Sequence, residues 1–272
     1  MPHKFSLPLN EIAARNLVPE KMDDPALCHR EHARALAGLR RINWFSGTAS
    51  RLKTEILQIA AREPRRHWRI LDIGCANGEV ALALFRLLKG QLEFTLTGWD
   101  RSAWAIGEAQ KKAKIELAGG GVQAKVDVRS RSTEEYTGTS LQFDVRDLFE
   151  CVQEPLAGKL DSQPFDIVYC SLLLHHFTDD DGIRAMSTMA RLAQTAILVD
   201  DLRRSRLGLL LAFFACHLLS RSPVVHFDGP QSVRAALTCE EAAAMAAAAG
   251  LTGVTVRRRW PQRFMLRWEA SR

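Results

Sequence analysis

Apolar positions change their period several times along the chain. From Glu11 to Ala61 they recur at helical spacing, interrupted near Pro25 and at Ser46-Gly47. Arg69–Ile73 is a short apolar run, followed by a glycine turn and a helical pattern over Glu79–Leu88. A strand is predicted over Glu93–Trp99 and a helix from Ser102 to about Leu117. Gly119-Gly120-Gly121 breaks the chain, and residues 122–144 are irregular and rich in β-formers, with a strand at Leu141–Phe143. Next come a strand at Phe165–Ser171, a helix at Asp180–Leu192 and a strand at Ala196–Asp200. Leu207–Leu219 is uncharged and helical. Thr238 and Glu241 form a capping-box pattern that opens a helix over 239–249, closed at Gly250. Val254–Arg258 and Phe264–Trp268 read as an antiparallel pair around Pro261-Gln262. Strands alternating with helices predict an α/β fold, with a mostly parallel sheet covered on both faces.

Chemistry concentrates at predicted strand ends. Ile70–Glu79 follows a strand and opens a helix, with Gly74, Cys75 and Gly78 in the turn. Gly74 allows a tight turn with backbone close to a ligand, and Gly78 lets the helix start approach it. The spacing is not the G-x-G-x-x-G of dinucleotide sites. Asp72, just before the turn, would repel a pyrophosphate; it suits a cofactor carrying an ammonium group and a sulfonium. Asp100, followed by Arg101, ends the second strand, where an acid can accept hydrogen bonds from both ribose hydroxyls. Asp144, followed by Val145, is placed to take an adenine amino group, with Asp127 as its rival. Ser171 ends the buried strand Phe165–Ser171, beside the first turn, and leads into Leu172-Leu-Leu-His-His176.

In this order the four pieces resemble class I S-adenosylmethionine-dependent methyltransferases over about Arg69 to Asp201, with Ala76 where the first motif usually has its middle glycine. The resemblance implies a Rossmann-like seven-stranded sheet, mostly parallel, with a terminal antiparallel hairpin and an N-terminal helical cap. It divides the chain into a cap over 1–62 and a cofactor-binding domain over 63–272 with a lid-like insertion around 203–237. It implies an enzyme using S-adenosylmethionine, released as S-adenosylhomocysteine, and no metal. The implied cofactor-binding residues are Asp72, Gly74, Cys75, Gly78, Asp100, Arg101, Asp144, Val145 and Ser171, with Arg51 placed to meet the cofactor carboxylate. Leu172–Phe177 looks like the ubiquinone/menaquinone-biosynthesis type. Val199–Ser205, His226–Val233, Met22–Pro25 and Arg41–Trp44 resemble a bacterial subgroup linked with type III polyketide synthases and flavin oxidoreductases. That subgroup implies a small phenolic, quinone-like or polyketide acceptor, methylated on oxygen or carbon.

Two other readings stand beside this one. Nucleic-acid methylation is disfavoured, because the Pro-Pro-aromatic loop and the Pro-Cys nucleophile are absent and no aromatic stacking pattern accompanies the basic clusters. A non-catalytic cofactor-binding pseudo-methyltransferase is disfavoured by the intact Asp72, Gly74 and Asp100.

Composition adds less. The 272 residues are 47% apolar, enough for a full core, and the net charge is +6. The excess gathers at Arg203, Arg204, Arg206 and Arg221, and at Arg257, Arg258, Arg259, Arg263 and Arg267. Such runs are most often solvated faces, and a peripheral membrane contact is a second use for them. Six cysteines without a C-x-x-C pair predict a reducing, cytoplasmic setting, and no zinc spacing occurs. The first twenty residues show no signal peptide. Leu207–Leu219 would rise only ~20 Å as a helix, too short to span a bilayer. It is expected to fold over the strand ends, with Phe213 and Phe214 lining an apolar pocket opposite Trp44 and Phe45.

A phenolic acceptor calls for a base. The candidates are His175, His176 and His226, the last oriented by Asp228 on a loop. If extended, His175 and His176 point opposite ways, so one packs on the sheet and the other reaches the substrate. His176 or His226 is the expected base, His175 the packing residue, and His217 structural. Oligomeric state is not encoded in these patterns.

Overall fold

The buried apolar runs pair as parallel strands. In the computed structural model, which describes residues 12–23, 27–63, 67–118, 138–150 and 164–270, seven strands form one sheet. They are β1 (Trp68–Ile73), β2 (Phe94–Asp100), β3 (Ser140–Val145), β4 (Phe165–Ser171), β5 (Ala193–Leu202), β6 (Thr255–Arg259) and β7 (Arg263–Glu269). The order is β3-β2-β1-β4-β5-β7-β6. The first five are parallel; β7 lies antiparallel between β5 and β6. This is the seven-stranded Rossmann-like methyltransferase fold. Gly119–Gly121 and Asp127 lie outside the described residues.

Eight helices flank the sheet among the described residues: α1 (His29–Ser46), α2 (Thr48–Ala60), α3 (Glu79–Leu88), α4 (Ala103–Ala118), α5 (Asp179–Leu192), α6 (Arg206–Leu219), α7 (Pro223–Ala235) and α8 (Cys239–Ala248). Strand alternation splits the core. Trp68, Ile70, Phe94, Leu96, Tyr169 and Leu198 face α2, α3 and α4. Leu71, Ile73, Val168, Cys170, Ile197 and Val199 face α5 and α8. Both faces being buried explains why β1 and β4 read as apolar runs rather than alternating ones. The capping box forms as expected: Thr238 accepts from Glu241 N, and the Glu241 carboxylate accepts from Thr238 N.

Not all the arginine runs are solvated faces. Arg263 and Arg267 are buried, on Asp200 and Glu55 respectively, and buried Arg204 holds Glu241. Alternation along β7 turns Arg263 and Arg267 to the face covered by α2, where Asp200 and Glu55 lie. Residues 203–237 leave and rejoin the sheet at one place, where Arg203 bridges to Leu237. Between these points α6 and α7 pack on each other and on α1. The expected loop around His226 is part of helix α7, which continues through Pro230. Gly229 permits this: a Cβ there would lie 2.2 Å from Cys216 Sγ, so only glycine lets α7 approach α6.

Candidate active site

The turn after β1 sits where the parallel strands end. Gly74 and Gly78 adopt left-handed φ values of 69° and 74°. Ala76 does so at 47°, a conformation that L residues enter at a cost of roughly 1–2 kcal/mol. Asp100 secures this turn: its Oδ2 accepts from Ala76 N at 2.9 Å, and its Oδ1 from Ser102 N at 2.8 Å. Phe143 fills the space that Gly78 and Gly98 leave; a Cβ on Gly98 would lie 2.4 Å from its ring. Leu173 covers Gly74, where a Cβ would come within 2.8 Å of it.

Asp72 is 1% exposed, and its carboxylate lies beside the hydroxyl of Tyr169, its register neighbour on β4, with no well-formed hydrogen bond to either oxygen among the described residues. Burial pushes the Asp72 carboxyl well above the usual range; the Tyr169 hydroxyl opposes this and Asp100 reinforces it. An uncompensated buried carboxylate is costly, and a cation placed beside it removes that cost. Burial, with Asp72 and Asp100 near, likewise drives the Cys75 thiol far up, so it stays neutral packing material. Asp144 and Val145 are exposed at the end of β3, Arg101 is exposed after β2, and Ser171 is half-buried at the end of β4.

Arg51, expected near the cofactor, has its guanidinium on Asp200, with Nε to Oδ2 at 2.7 Å and Nη2 to Oδ1 at 3.1 Å. Asp200 is fully buried and also meets Arg263 at 3.3 Å. Its neighbour Asp201 points to the other face of β5, as strand alternation requires. There Asp201 Oδ1 meets His175 Nδ1 at 2.7 Å, and Oδ2 accepts from Leu174 N at 2.8 Å.

His175 and His176 do not point opposite ways. Leu172 enters the left-handed region at φ 54°, and Leu174–His176 coil into a 3-10 turn instead of extending β4. At three residues per turn, successive side chains diverge less than in a strand. The two rings lie 4.3 Å apart, His175 buried and His176 exposed. Glu20, from the N-terminal segment, completes the group with its Oε1 3.7 Å from His175 Nε2. Ligand atoms of Glu20, His175 and His176 all lie within 4.8 Å of one another. Ser232 of α7 donates to Glu20, and Asp228 accepts from Lys21 N and Met22 N at 2.8 and 3.0 Å, so α7 holds the segment in place.

His226 has a different setting. Its Nε2 meets Ser220 O at 2.8 Å and its ring stacks on His217 at 4.1 Å, which in turn packs on Phe213. Asp228's amide partners thus tie it to the N-terminal segment. Phe214 is 62% exposed, while the side chains of Trp44 and Phe45 lie outside what the structure describes. Sequence reasoning missed Glu20, Asp201 and Tyr169. Only Asp201 left a trace, in the consecutive acids ending β5.

Burial alone would lower the pKa of His175, but Asp201 and Glu20 overcome this and push it up to about 10. His175 is therefore a cation at neutral pH, held between two carboxylates. A raised folded-state pKa gives stability that is complete below the ordinary value of 6.5 and is lost as pH rises towards about 10. Urea unfolding should lose on the order of a few kcal/mol across that window. His175→Gln, which cannot titrate, should lack that part of the slope. Parallel slopes for the two proteins would show that His175 carries no such charge.

Residues 44–252 match the family model described as a methyltransferase domain. The chain belongs to this methyltransferase family. It is a class I enzyme that uses S-adenosylmethionine. No curated protein matches the chain. Among solved structures, the plantazolicin methyltransferase BamL, crystallised with a triazolic desmethylPZN analog and SAH, is 18% identical with a TM-score of 0.61. That alignment covers 89% of this chain and 91% of BamL. The magnesium protoporphyrin IX methyltransferase of Synechocystis PCC 6803, with bound SAH, is 17% identical over 92% of this chain and 91% of its own, at a TM-score of 0.51. The CurJ carbon methyltransferase is 15% identical over 82% of this chain and 54% of its own, at 0.53. These likenesses establish the fold. For this methyltransferase, the buried Asp72 carboxylate at the β1 turn fits a cofactor that brings positive charge.

Proposed function

We propose that this methyltransferase acts on a small apolar acceptor, phenolic, quinone-like or polyketide in character, with His176 as the base. The observation that carries the reading is the Asp201–His175–Glu20 group under an exposed His176, at the end of the strand beside the cofactor turn. The plantazolicin and magnesium protoporphyrin IX methyltransferases sharing the fold are named for acceptors other than nucleic acid, which agrees. So does the resemblance of Leu172–Phe177 to the ubiquinone/menaquinone type, and of Val199–Ser205 to enzymes associated with type III polyketide synthases.

When bound, S-adenosylmethionine supplies an electrophilic methyl on its sulfonium and leaves as S-adenosylhomocysteine. Asp100 would hold the ribose, Asp144 the adenine end, and Asp72 the positive end, with Gly74 and Gly78 giving backbone access. The protein's remaining task is to hold the acceptor in line and keep water out, which is worth ~7–11 kcal/mol. His175, already protonated between two carboxylates, cannot take a second proton; it fixes the turn and sets His176 above it. His176 would receive the acceptor's proton as the methyl is transferred, so the positive charge passes to the imidazole and not to the methylated acceptor atom, and the sulfide leaves neutral. The cap over 1–62 and the insertion around 203–237 would enclose the acceptor, and the transfer so described uses no metal. A cytoplasmic setting agrees with the free cysteines 28, 75, 170, 216 and 239.

Incubation with S-adenosylmethionine and a panel of phenols, quinols and polyketide lactones, read by mass spectrometry, should give singly methylated aromatic products. Methylation of transfer or ribosomal RNA, with none of the aromatic acceptors modified, would replace this reading with the nucleic-acid one.

A further inference from the structure

The uncharged stretch of the sequence forms α6, and only Gly208, Leu209 and Cys216 of that helix are buried. Leu207, Phe214 and Leu218 are 47%, 62% and 84% exposed. With half-buried Leu211 they recur at helical spacing and form one stripe along the outer face. Single exposed leucines are ordinary on a protein surface; a row of them along one helix is not. Fourteen residues of helix rise only ~21 Å, so the stripe cannot span a bilayer. None of the described helices is long and apolar enough to do so.

Charge indicates what covers this face. Arg206 and Arg221 stand exposed at the two ends of α6. Arg221, with Arg34 and Arg41 of α1, lines a hollow of about 410 Å³ beside Leu218, and among the described residues no acidic side chain contributes to its wall. None of these four arginines makes an ion pair among the described residues. What sets this cluster apart is its place: several positive side chains gathered beside exposed hydrocarbon.

We propose that α6 lies in the headgroup layer of an anionic lipid bilayer. The Leu207–Leu211–Phe214–Leu218 stripe enters the acyl boundary, and Arg34, Arg41, Arg206 and Arg221 engage lipid phosphates. The guanidinium fork matches phosphate oxygens in geometry, and an anionic surface attracts each such cation independently. A helix with an apolar face and basic flanks is the form that interfacial binding takes. The inference stands apart from the identity of the acceptor, since it rests on the outer face of α6 and not on the histidine turn.

The full chain should be sedimented with vesicles of phosphatidylcholine alone, and with vesicles also containing phosphatidylglycerol. Binding is expected only to the anionic vesicles, weakening as salt rises. Leu207→Ser with Leu218→Ser should abolish it. Arg34→Ser, Arg41→Ser and Arg221→Ser together should weaken it by roughly a hundredfold. Calorimetric binding of S-adenosylhomocysteine, unchanged in both variants, shows that they are folded. Three results would overturn the proposal: no binding to anionic vesicles, equal binding by the leucine variant, or a parent dimer that the leucine variant converts to monomer. The last would make this face a contact between two copies of the chain.

Discussion

Replacing Asp100 by alanine should weaken binding of S-adenosylhomocysteine by ~2–4 kcal/mol, roughly a 30- to 1,000-fold rise in Kd. Two effects add. Each Asp100 oxygen accepts one backbone amide, from Ala76 and Ser102, which leaves a lone pair on each for the ribose hydroxyls. Charged acceptors of this kind are about twice as strong as neutral ones. The substitution also releases the Ala76 amide, at a residue already held in a left-handed conformation, so the turn that should cradle the cofactor loosens. Titration calorimetry measures the first effect, and urea unfolding of the unliganded protein measures the second. A stable Asp100→Ala protein with unchanged affinity would remove Asp100 from the cofactor site.

How far the sequence could be read depended on the range of the interactions involved. Helix α3 and strand β4 were legible to the residue, because a 3.6-residue stripe and a fully buried apolar run are local signals. The capping box of α8 was legible for the same reason. Arg51 was not: its partner Asp200 lies 149 residues away, and no local spacing foretells that buried pair. Glu20 was invisible too, being held by Ser232 at a separation of 212 residues. The histidines misled in a different way. Extending β4 by its period put them on opposite faces, but Leu172 turns left-handed and the 3-10 turn brings their rings together. The loop expected around His226 gave way to packing, because α7 needs glycine at position 229 to touch α6. The strand-end acids were readable as a set and the histidine turn only as a neighbourhood.

His176→Ala should lower the rate of methyl transfer by ~10²–10⁴-fold while leaving cofactor affinity at the parent value. The expectation follows from the contrast between adjacent side chains. His175 is buried, its Nδ1 on Asp201 and its Nε2 facing Glu20, and it keeps its proton up to about pH 10. His176 packs against it with its ring tilted and is exposed, so an acceptor can reach it. His226→Ala should stay near the parent rate, because the Nε2 of His226 is engaged by Ser220 O inside the α6–α7 stack. Raising the pH is a poor way to rescue the His176 variant, since a phenol with pKa ~10 ionises where His175 also loses its charge. A series of acceptors of increasing acidity at constant pH avoids that overlap. The penalty should shrink as the acceptor's own pKa falls towards the working pH, because an acceptor that is already ionised needs no base. A penalty that is constant along the series would mean that His176 positions the acceptor without taking its proton. A rate equal to the parent's throughout would leave the transfer to proximity and exclusion of water alone.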